Sequence, residues 1–181
     1  MDSTRRHWLL GSLSSFSLSA IAAARGHAHQ AVTEKIPRLD FFTPETAADI
    51  SALASQIIPS AGGPGATEAG AVYFIDRALT TFESEKQDAY RTGLREINET
   101  RQKLFPESAS IASLAPDQQL ALVHAIEKSD FFELLRIHTV LGFLGDPSYG
   151  GNRDKAGWKH IGFDDSMAFT PPFGYYDAGA Q

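Results

Sequence analysis

Apolar residues recur at helical spacing in five stretches of this chain. The first is FFTPETAADISALASQIIP, where Ile50, Leu53, Ala54, Ile57 and Ile58 trace one buried helix face. Thr43 suits the N-cap, Pro44 the first helical position, and Pro59 stops the run. A second helix is expected from about Ala69 to Phe82, with Val72, Ile75, Leu79 and Phe82 on one side. A third starts at Ser84, where Gln87 completes a capping box; Tyr90, Leu94, Ile97 and Leu104 are its apolar positions. Pro116 opens a fourth, with Leu120, Val123 and Ile126 inward. Ser129 caps a fifth, DFFELLRIHTVLGF. No period-two run, hairpin signal or internal repeat occurs, so the expected fold is all-α. It is a bundle of about five helices over residues 41–181, with a long irregular tail from about Gly145.

The first residues follow another pattern. Arg5 and Arg6 precede a mildly apolar stretch, Trp8 to Ala24, and small-residue cleavage sites at Ala22–Ala24 and Gly26–Ala28. Basic start, apolar middle and small-residue end make an export signal, assigned to residues 1–28, with a linker at 29–40. Five serines and a glycine among those 17 apolar-stretch residues argue against a permanent membrane anchor. The run TRRHWLL resembles a twin-arginine (Tat) motif, with Trp8 where Phe is usual. The alternatives are a Sec signal or an uncleaved anchor. A twin-arginine signal implies a protein exported folded to the periplasm.

Composition narrows the function classes. The chain has 181 residues, 43% hydrophobic and 21% charged, which suits one globular domain. Its net charge is −6, and no basic run occurs in the body, which disfavours nucleic acid. There is no cysteine, hence no disulfide, thiolate metal site or Cys nucleophile. The SAGGPGATEAG loop lacks the spacing and Lys-Ser/Thr end of a phosphate cradle. No GxGxxG, HExxH or GxSxG pattern is present.

Candidate chemistry is sparse. His138 sits among Phe131, Leu134, Leu135 and Leu141; a lone His on an apolar face is more often a satisfied core group than a catalytic base. Asp76 reads as a cap or ion-pair residue before a catalytic one. Asp146, Asp154 and Asp164 read as turn residues before an acid/base pair or hard-metal site. The informative region is GDPSYGGNRDKAGWKHIGF, from Gly145 to Phe163. Seven of the 28 residues from Tyr149 to Tyr176 are aromatic, so this tail folds over its own bundle or packs against another chain.

The residues FF…RxHT (Phe131, Phe132, Arg136, His138, Thr139), DPxYGGN (Asp146 to Asn152) and GW…IGF (Gly157 to Phe163) resemble the gluconate 2-dehydrogenase subunit 3 (gamma, small subunit) family. The segment IIP…PGAxEAG…FID, Ile57 to Asp76, also fits. The resemblance spans about residues 40 to 165 and implies a non-catalytic accessory subunit with no cofactor of its own. Its partner would be a large flavoprotein of the glucose-methanol-choline type, holding FAD and oxidising a sugar or polyol. In such complexes a cytochrome c subunit carrying haem c often passes the electrons on. The small subunit's Tat signal would carry the folded pair through the Tat translocase. On this reading His138, Asp146, Tyr149, Gly150, Gly151, Asn152, Trp158 and Phe163 form or orient the subunit interface. Two rivals remain: a small enzyme using His138 and Asp146 as an acid/base pair, and a standalone periplasmic sugar-binding protein.

Overall fold

A computed structural model describes residues 38–166. The export segment, most of the linker and the aromatic residues beyond Ser166 lie outside the described residues. The fold below belongs to the compact unit that begins at Leu39.

Among the described residues are six α-helices and no strand: α1 (Pro44–Ile57), α2 (Ala71–Thr80), α3 (Gln87–Leu104), α4 (Pro116–Ile126), α5 (Asp130–Leu144) and α6 (Ala156–Ile161). Short 3-10 turns at Ser84–Lys86, Pro147–Tyr149 and Arg153–Lys155 join them. The all-α expectation holds. The tail is less irregular than expected, because residues 156–161 wind into a sixth helix packed on α5.

Local chemistry sets the helix starts. Thr43 Oγ1 accepts from Thr46 N–H, and Ser129 Oγ from Phe132 N–H, each meeting a donor that the helix cannot pair itself. At α3 the sequence misleads. Ser84 opens a 3-10 turn, and Gln87 Nε2 instead donates to the Leu79 carbonyl at 2.8 Å. Gln87 thus ties α3 to the end of α2 rather than closing a capping box. The start of α2 is also later than expected, because Gly70 takes a left-handed conformation (φ 67°) that breaks the helix ahead of Ala71.

Helix α5 is the central element, packed most heavily on α2 and also on α1, α3 and α6. The core gathers Ile50, Leu53, Ile75, Leu79, Leu122 and Leu135, all fully buried. Asp76 is buried too, and its carboxylate accepts from the backbone N–H groups of Asp40, Phe41 and Phe42 at 2.7, 3.0 and 2.8 Å. The expected cap or ion-pair role takes a different form: these N–H groups precede the α1 N-cap Thr43, and Asp76 seats the entering chain on α2 rather than capping a helix.

Four apolar residues expected to face inward are exposed: Phe82, Leu104, Leu120 and Leu141. In α4 Leu122 takes the buried place assigned to Leu120. Spacing marks the apolar positions of a helix but not which of them the neighbouring helices reach.

Candidate functional site

His138 is 2% exposed and lies between α3 and the turn that precedes it. Its Nδ1 is 2.8 Å from the Tyr90 hydroxyl, and the two rings stack 13° from parallel. Its Nε2 is 2.6 Å from Glu83 Oε2. That buried oxygen has no aligned hydrogen bond, so the contact is one of proximity. Burial pulls the imidazole pKa below its ordinary value, against the opposing pull of Glu83; Lys86 adds to the lowering. Burial, with Glu83 nearby, pushes the Tyr90 phenol far up, so it stays protonated. The consistent arrangement has Tyr90 O–H donating to Nδ1 of a neutral imidazole protonated at Nε2, which lies beside the Glu83 carboxylate.

Such a Tyr–His–Glu row could relay a proton only if a substrate reached it. His138 itself is enclosed in the bundle core, and of the three only Glu83 reaches solvent, its side chain 27% exposed. A surface depression of about 440 Å³ lies elsewhere, lined by Leu104, Phe105, Glu107 and Ser113 among others. Asp146 is not a partner of His138. It accepts from Ser148 N–H at 2.8 Å, and its bonds to Ser148 hold its pKa below the usual carboxylate value. Asp164 likewise accepts from Ser166 N–H at 3.0 Å, and Asp154 occupies a left-handed backbone position. These carboxylates serve turns.

The glycine and aromatic loop is built around Asn152, which is fully buried and left-handed (φ 44°), a conformation Asn tolerates better than most residues. Its N–H donates to the Gly142 carbonyl at 2.7 Å, its Nδ2 to Gly145 O at 2.9 Å, and its Oδ1 accepts from Gly157 N–H at 2.9 Å. One side chain thus pins the end of α5 to the start of α6. Gly151 and Gly157 press on the carbonyls of Gly142 and Phe143 so closely that a Cβ at either would collide with backbone. Gly142 in turn lies against Ala71 of α2, where a Cβ would come within 2.9 Å of its Cα.

The loop's other residues face outward. Gly150 closes the 147–149 turn in a left-handed conformation. Tyr149 is 49% exposed, edge-on to Phe82 at 5.7 Å. Trp158 is half-buried; its Nε1 donates to the Leu144 carbonyl at 2.6 Å, and the exposed Phe163 ring stands on it at 5.1 Å. Of the residues singled out from sequence, the structure therefore gathers Asp146 through Phe163 at the α5–α6 corner. It keeps His138, Gly151 and Asn152 inside. Sequence reasoning missed Glu83 and Tyr90, the partners of His138; Tyr90 was read only as an apolar helix position. It also missed the outer face of α5, where Ile137, Leu141 and Leu144 share one exposed side.

Among the described residues no helix is long and apolar enough to cross a membrane, and no group of three His, Asp or Glu side chains could hold a metal ion. A family model described as gluconate 2-dehydrogenase subunit 3 matches residues 44–165. No curated protein and no solved structure gives a match.

Proposed function

The chain belongs to the gluconate 2-dehydrogenase subunit 3 family, and we propose that it is the non-catalytic small subunit of a periplasmic FAD-dependent sugar or polyol dehydrogenase. The family match across the whole helical body carries this reading. Two structural features support it. The buried Tyr90–His138 pair suits a structural role, and large apolar side chains stand exposed on α5 and α6.

On this reading the partner is a large flavoprotein of the glucose-methanol-choline type. It holds the FAD and performs the oxidation; a cytochrome c subunit with haem c takes the electrons onward. The small chain acts on catalysis indirectly. Binding the folded partner and not the unfolded one stabilises it by mass action. The Arg5–Arg6 signal then takes the folded pair through the Tat translocase to the periplasm.

The test is co-expression with a flavoprotein of that type, with a C-terminal tag on the small chain. A purified yellow two-chain complex with flavin absorbance is the expected result. A colourless single chain, purified from cells that also make soluble flavoprotein, would refute the reading. The export part has its own test. Changing Arg5 and Arg6 to Lys is expected to leave both chains in the cytoplasm; unchanged periplasmic activity would rule out the Tat route.

A further inference from the structure

We propose that the partner subunit docks on the outer face of the C-terminal half of α5, continued by Trp158, Ile161 and Phe163. This rests on the accessory-subunit reading and places its interface.

Helix α5 is apolar on both sides where it ends. Its inner side packs Leu135, His138, Thr139, Gly142 and Phe143 into the bundle. Its outer side from residue 137 onward presents Ile137, Leu141 and Leu144, which are 43%, 43% and 36% exposed. A helix apolar all round is one that is covered all round. The stripe does not stop at the helix end, because Trp158 bonds the Leu144 carbonyl and Phe163 stands on Trp158. Ile161 and Phe163 are more than half exposed. An aliphatic stripe ending in an anchored Trp and an exposed Phe has the composition of an interface core. By contrast, Gly151 and Asn152 are consumed inside the molecule, so these two residues shape the corner and are not themselves contacts.

Charge identifies the occupant as a protein surface. Of the cations beside the stripe, Arg136 pairs with Glu133 at 2.6 Å and Lys155 with Asp165 at 2.5 Å; Lys159 stands exposed beside Trp158, and the chain carries −6 overall. An anionic lipid surface would require a cluster of free cations there, not a single lysine. Between a second copy and a different chain, the family decides. The stripe lies wholly within the matched residues 44–165, and that family is one subunit of a multi-subunit dehydrogenase. The occupant is the flavoprotein, through an apolar, largely uncharged patch of its own.

The test uses the full co-expressed pair. Ile137→Asp/Leu141→Asp is expected to lower flavin recovered with the tagged chain at least about tenfold, the scale set by losing interface anchors. Leu120→Asp, at an exposed leucine of α4, is expected to leave recovery unchanged. A photoreactive residue at position 141 covers the case in which the double variant does not fold; its expected product is a crosslink to the flavin-bearing chain. Full flavin recovery with the double variant would overturn the docking site while leaving the accessory-subunit reading intact. So would a crosslink only to a second copy, or to lipid. No flavoprotein with the wild-type chain overturns both.

Discussion

Helices α3 and α5 meet along one seam and turn very different faces away from it. At the seam they interlock: Tyr90 of α3 bonds and stacks on His138 of α5, and the Phe131 ring fills the space over Gly93. Outward, α3 exposes Asp88, Arg91, Arg95, Glu96, Glu99 and Lys103, the polar face of a helix that ends at water. The outer face of α5 begins in the same way, with Asp130, Glu133 and Arg136, and then changes to Ile137, Leu141 and Leu144. Two helices of one bundle thus have equivalent interiors, but only one has a surface finished for solvent. The difference locates the face awaiting a partner.

If the interiors are equivalent, truncating either should be costly in the chain alone. Tyr90→Ala and Leu135→Ala are each expected to cost about 3–4 kcal/mol in urea unfolding, the range for large-to-small changes in a closed core. A loss under about 1 kcal/mol at either would mean the seam is loosely packed. Asn152→Ala comes next, at about 2–3 kcal/mol, because Gly157 N–H and Gly145 O lose their partner. It should also lower complex yield, since the corner that holds Trp158 loosens; the same fold loss with full complex yield would separate corner from interface.

The seam also predicts a pH dependence. His138 titrates lower in the folded chain than its ordinary value of about 6.5, because burial disfavours its charge. Between the lowered and ordinary values the unfolded chain binds the extra proton, so stability rises with pH there. The contribution is complete above about pH 6.5 and is lost as pH falls through the folded value. Urea midpoints should drop on acidification, and the drop should shrink in His138→Gln. An equal acid slope in the variant would assign the effect elsewhere. The smallest expected change is at the outer face: Leu141→Asp should alter the isolated chain's stability by no more than about 0.5 kcal/mol. A larger loss would mean that Leu141 packs within the chain itself.

The sequence made the helical class, the caps at Thr43 and Ser129 and the special corner after Gly145 legible, because each rests on local pattern. What it hid were relations across distance. Glu83 and Tyr90 stand 55 and 48 positions from His138, and no spacing rule brings them together. In α5 the apolar residues surround the axis, so Leu141 looked as buried as Leu135. Helix α6 was hidden in glycine-rich loop chemistry, and its six residues depend on Asn152 and on contact with α5 rather than on their own periodicity.

Oxidative footprinting of the purified two-chain complex against the free small chain tests the contrast between α3 and α5 most directly. The account predicts protection of Ile137, Leu141, Leu144, Trp158 and Phe163, with Leu104 at the end of α3 and Leu120 on α4 modified equally in both. Protection of Leu104 and Leu120, with Leu141 and Trp158 unchanged, would contradict it.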